Sequence, residues 1–73
     1  MRLFYEDYKN GYVNVIDNVD RVKIEKHENK NTLCVYTNGK NYATDMIPLH
    51  EIRLAFMVDT RGDNCKEYFR YEK

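Results

Sequence analysis

The chain has 73 residues, 12 of them basic and 12 acidic, for a formal net charge of zero. That length makes one domain, residues 1–73, which buries only about 60% of the surface its unfolded chain exposes. Pairing with itself or with a partner would add to so thin a margin of stability. The charge balance excludes the polycationic surface that advertises duplex binding, and equally an acidic surface that imitates a nucleic-acid backbone.

In chain order, the first predicted element is a hairpin. Asn10-Gly11 suits a two-residue type I′ turn, in which both central residues take positive φ. It would join "RLFYEDYK" to "YVNVI", setting Tyr8 opposite Val13 and Tyr5 opposite Ile16. "DRVKIEKH" follows as a strand with one wet face, Val22 and Ile24 on one side and Arg21, Lys23, Glu25 and His27 on the other. "HENKN", residues 27–31, reads as a polar loop.

A second hairpin centres on Asn38-Gly39, with period-two alternation on both arms. Its turn would set Val35 opposite Tyr42, Leu33 opposite Thr44 and Tyr36 opposite Asn41. One face would then carry Leu33, Val35 and Tyr42, with Met46 following in period. A turn near Pro48 precedes a strand from Ile52 to Val58, since Ile52, Leu54, Phe56 and Val58 alternate. "DTRGDN" reads as a loop, with Gly62 supplying a turn. Asn64 and Glu67 fit a helix cap that would put Cys65, Tyr68 and Phe69 on one face, and a final strand through Tyr68 to Tyr71 fits the same residues. The expected fold is mostly β: a small antiparallel meander of five or six strands, barrel-like or a curled sheet, with a short C-terminal helix as the alternative ending. In its hairpins and its "IPLHEI" joint the chain resembles small β proteins of phages and mobile elements. The resemblance lies in the pattern of the whole chain and brings no functional residue with it.

Two cysteines, Cys34 and Cys65, read as intracellular thiols, because small secreted domains stapled by disulfides usually carry four or more. The residues after Met1 run into Glu6 and Asp7 without a signal-peptide pattern, and no apolar run approaches the ~20 residues of a membrane helix. The expectation is a cytoplasmic protein with no membrane partner.

The missing residue types limit the chemistry. The chain contains no serine, which excludes a serine nucleophile, and its three glycines stand singly, so no glycine-rich phosphate cradle forms. Cysteine catalysis would need Cys34 or Cys65 beside His27 or His50, yet Cys34 sits mid-strand where a small buried hydrophobe is the ordinary role. The donors His27, Cys34, His50 and Cys65 show no metal-ligand spacing. The reading is therefore no catalytic residue, no metal and no cofactor. "RGD" at residues 61–63 reads as a turn rather than an adhesion motif.

What remains is a binding module. Seven tyrosines supply rigid rings with a polar tip, suited both to covering a small sheet and to contact surfaces. The hairpin tip at Asn38-Gly39, flanked by Tyr36, Lys40, Asn41 and Tyr42, is the candidate contact loop, with Arg21 and Lys23 on an adjacent strand face. The favoured partner is another protein, a host protein bound by an inhibitor or modulator, with homodimer formation alongside. Single-stranded nucleic acid, stacked on the tyrosines beside these basic residues, is the alternative.

Overall fold

The computed structural model describes residues 1–59, 61 and 66–73. Seven strands and one 3₁₀ turn follow in order: β1 (Arg2–Asp7), β2 (Val13–Ile16), β3 (Val19–His27), β4 (Lys30–Thr37), β5 (Asp45–Pro48), the turn Leu49–Glu51, β6 (Ile52–Asp59) and β7 (Lys66–Glu72). They form two antiparallel sheets, one of four strands in the order β2-β1-β6-β7 and one of three in the order β3-β4-β5. The mostly β, antiparallel class is as the sequence implies. The strands number seven among the described residues, however, and lie in two open sheets rather than one curled sheet or barrel. The C-terminal alternatives resolve to strand over Lys66–Glu72. The RGD turn at Gly62 and the cap proposed at Asn64 lie outside the described residues, as does Cys65.

The chain changes sheet twice, and each crossing has a local cause. Between β2 and β3, Asn18 takes φ 58°, a left-handed conformation that asparagine tolerates better than most residues. The corner is tied down where the Asn38 amide donates to the Asn18 carbonyl at 3.1 Å and the Val19 amide to the Met1 carbonyl at 2.8 Å. Between β5 and β6, Pro48 leads into the 3₁₀ turn, and the Tyr8 amide donates to Glu51 O at 2.9 Å. The inner faces of the two sheets share one core: Leu3, Ala55 and Met57 from the larger, Val19, Leu33 and Val35 from the smaller, closed at the second crossing by Leu49 and Ile52.

Both Asn-Gly hairpins exist with registers other than those expected. The first pairs Leu3 with Ile16 and Tyr5 with Asn14, two residues off the tight turn. Its longer loop is held by the Gly11 amide donating to Asp7 O and the Lys9 amide to the Asp7 carboxylate. An even shift leaves every side chain on its face. At the second, Asn38 and Gly39 do take positive φ, 55° and 71°, and the Lys40 amide closes onto Thr37 O at 3.1 Å. Pairing then resumes only at Asp45, so that Leu33 faces Ile47 and Val35 faces Asp45. That shift is odd and exchanges faces: Ile47 packs on the core, while Tyr42 and Met46, expected on the core face, are exposed.

A third tight turn closes β3 onto β4. His27 pairs with Lys30, leaving Glu28 and Asn29 as a two-residue turn at φ 51° and 66°, where the sequence reads as an open polar loop. Glutamate is unusual at positive φ, so Glu28→Asn should stabilise the chain by about 0.5–1 kcal/mol; a urea midpoint that fails to rise would show that the glutamate side chain earns its place by contacts. Leu33→Ala, at a fully buried position, should cost about 2–5 kcal/mol, read from the same unfolding curves.

Candidate functional site

The outer face of the three-stranded sheet is built by the β3–β4 pairing, which sets Arg21 opposite Tyr36, Lys23 opposite Cys34 and Glu25 opposite Thr32. An irregularity between Val19 and Arg21 pushes out Asp20, whose carboxylate accepts the Gly39 amide at 2.7 Å and so fastens the tip of the next hairpin to β3. The Arg21 guanidinium lies 4.2 Å from the centroid of the Tyr36 ring, and the Lys23 ammonium lies 5.9 Å from it, both within cation–π range. Asp20, Arg21, Tyr36, Gly39, Lys40 and Asn41 line a shallow concavity of about 350 Å³.

Of the six residues nominated from the sequence, Arg21, Tyr36, Lys40 and Asn41 therefore share one concavity, and Lys23 flanks it. Tyr42 stands outside on the loop, exposed, with Lys40 5.4 Å from its ring. Tyr36 is buried beneath its cations and offers little of its own ring. Among the described residues neither Arg21 nor Lys40 is ion-paired, which leaves a small cationic seat able to take a carboxylate or a phosphate.

A second surface, on the outer face of the four-stranded sheet, was not nominated. The register lines up Val15, Phe4, Phe56 and Arg70 in one row across all four strands, and Val13, Glu6, Leu54 and Glu72 in the next. Phe4 and Phe56 stack with centroids 5.2 Å apart, and the Arg70 guanidinium lies 5.6 Å from the Phe56 ring. Val13 is 62% exposed and Val15 49%. Between them, Phe4, Val13, Leu54 and Phe56 border an apolar notch of about 40 Å³. Ion pairs ring the patch: Arg53 with Glu6, Arg2 with Asp17, and Arg70 with Glu67.

The cause is a bulge in β6. Leu54 pairs with Glu6 and Ile52 with Asp7, so Arg53 is an extra residue. Ile52, Ala55 and Met57 consequently fill the core, while Leu54, Phe56 and Val58 point away from it. The signal was present as "LAFMV", residues 54–58, an unbroken apolar run of the kind found in strands covered on both faces. Of the tyrosines, Tyr5 and Tyr71 pack on the core, whereas Tyr8, Tyr12, Tyr42 and Tyr68 are exposed.

Farther along the outer face of the smaller sheet, three donor side chains meet. His27 Nε2 lies 3.2 Å from Glu25 Oε2 and 3.7 Å from Cys34 Sγ. Cys34 is buried and free. Burial pushes its thiol pKa up, the Glu25 carboxylate pushes in the same direction, and Lys23 opposes them. His50 stands apart, exposed on the 3₁₀ turn.

Comparison with protein-family models, with curated proteins and with solved structures finds no match. No helix among the described residues is long and apolar enough to cross a membrane.

A buried thiol with a raised pKa is a poor nucleophile. Alkylation of Cys34 by iodoacetamide at neutral pH, followed by peptide mass spectrometry, should be slow in the folded chain and fast in denaturant. Equal rates in the two conditions would mean that the thiol is accessible and not shielded as described.

Proposed function

We propose that the chain is a non-catalytic protein-binding module whose principal contact surface is the outer face of the four-stranded sheet. One observation carries this reading: on the side of the sheet that the core does not use, the half-buried Phe4–Phe56 stack and Leu54 lie beside the exposed Val13 and Val15 in one apolar patch. Covering a fully exposed valine or phenylalanine side chain is worth about 1.5–3 kcal/mol, so a partner that seals this face gains most from Val13 and Val15 and a part of that from each half-buried ring. An apolar centre within a rim of ion pairs is also how protein interfaces are arranged. The cationic seat at Arg21 and Lys40 is a second, smaller contact, suited to an acidic side chain of the same partner.

The partner is another protein, and the resemblance to proteins of phages and mobile elements favours a host protein that the chain inhibits or modulates. Pairing of two copies would use the same apolar face and compete with that partner. The rival reading, single-stranded nucleic acid at Arg21, Lys23, Tyr36 and Lys40, draws on the cation–tyrosine stacking there.

Val13 and Val15 are exposed on an edge strand, so Val13→Lys with Val15→Lys should change stability by less than about 1 kcal/mol. A tagged pull-down from lysate, after nuclease, should recover one protein near stoichiometrically with the natural chain and lose it with this double variant. Lys40→Ala with Asn41→Ala should weaken recovery by roughly tenfold or less, equivalent to about 1.4 kcal/mol. Recovery that survives the valine changes would sink the proposed surface. Recovery that disappears with nuclease, or binding that falls steeply with salt, would transfer the function to nucleic acid.

A further inference from the structure

Independently of that reading, the geometry points to a metal site: we propose that Glu25, His27 and Cys34 bind a zinc ion through one carboxylate oxygen, one imidazole nitrogen and one thiolate, leaving a fourth position for water. The sequence spacing gave no ground for expecting it, since Glu25 and His27 alternate along β3 while Cys34 lies on the neighbouring strand. The β3–β4 hairpin makes the constellation. Glu25 and His27, two residues apart, share the outer face of β3, and Cys34 shares the outer face of β4. Lys30 is the residue opposite His27, so the imidazole leans back along the strands to reach the thiol.

The two separations from the imidazole nitrogen match edges of a coordination tetrahedron. Zinc lies about 2.0–2.2 Å from nitrogen and oxygen ligands and about 2.3 Å from sulfur, so tetrahedral angles separate nitrogen from oxygen by about 3.3 Å and nitrogen from sulfur by about 3.6 Å. Here those separations are 3.2 Å and 3.7 Å, and the three donor atoms all lie within 4.8 Å of one another. The set joins a hard carboxylate to a borderline imidazole and a soft thiolate, and the last two suit zinc better than magnesium or calcium.

The same geometry argues against the other use of a cysteine, a histidine and a carboxylate. A nucleophile relay needs the thiol on one ring nitrogen and the carboxylate on the other. Here both contacts converge on Nε2.

Surrounding groups fit the assignment. Glu25 divides its oxygens, Oε2 facing His27 and Oε1 lying 3.9 Å from the Lys23 ammonium, so Lys23 orients the ligand from behind. Of the three donors, His27 borders an open concavity of about 380 Å³, shared with Thr32, Met46 and Pro48. One thiolate and one carboxylate neutralise the dication.

The test is a cobalt titration of the full chain, reduced and stripped with chelator. The expected result is a thiolate-to-cobalt charge-transfer band that saturates at one equivalent, resists a large excess of magnesium and is displaced by one equivalent of zinc. Cys34→Ala should abolish the band and Cys65→Ala should leave it unchanged. His27→Gln and Glu25→Gln, on the half-exposed surface, should keep the fold by circular dichroism and weaken binding by at least about tenfold, the lower end of what losing even a group that only hydrogen-bonds to a ligand costs. Zinc should raise the melting temperature of the natural chain and not that of His27→Gln. Absence of the band, its survival unchanged in folded His27→Gln, or its loss in Cys65→Ala would each overturn the site.

Discussion

The register of β4 against β3 is the constraint on which the rest of the structure depends. It is set by a two-residue turn at Glu28-Asn29, with both residues in left-handed conformation. A slip of one residue would send Leu33 and Val35 to the solvent face and bring Cys34 and Tyr36 into the core. With the register as it stands, Leu33, Val35 and Val22 supply the smaller sheet's share of the interior. The same pairing places Arg21 over Tyr36 and assembles Glu25, His27 and Cys34 on the opposite face. The smaller sheet's share of the core, the cationic concavity and the donor cluster are thus two faces of one hairpin.

The two sheets treat their outer faces differently. On the smaller sheet, the central strand is covered from both sides by long side chains of its neighbours, so Cys34 and Tyr36 are buried although they point away from the core. On the larger sheet, the side chains beside Phe4 and Phe56 are valines on one side and a single arginine on the other. Valine is too short to cover a neighbouring ring completely, and the two rings stay partly exposed. This asymmetry is why the protein-binding reading rests on the larger sheet and the coordination chemistry on the smaller one.

The bulge at Arg53 ties the two faces together. By inserting one residue opposite the Glu6–Asp7 step, it lets Ile52 close the core at the crossing between sheets and sends the next three alternating apolar residues outward. Arg53 itself turns to Glu6 and forms part of the charged rim. A single inserted residue thus completes the interior and frames the exterior patch.

The sequence by itself determined the antiparallel β class, the left-handed turn at Asn38-Gly39, the turn at Pro48 and the strand that begins at Ile52, because each follows from the conformational limits of a few adjacent residues. It also pointed to Arg21, Tyr36, Lys40 and Asn41, but their meeting in one concavity took the β3–β4 register and the tie from Asp20 to Gly39. Tertiary structure alone decided the rest. The odd shift that exposes Tyr42 and buries Ile47 depends on which residue of β5 meets Leu33, and that is settled by packing against the opposite sheet. The outward turn of Leu54, Phe56 and Val58 depends on a bulge with no local signature. The meeting of Glu25, His27 and Cys34 depends on cross-strand register and the lean of one imidazole, neither of which linear spacing records.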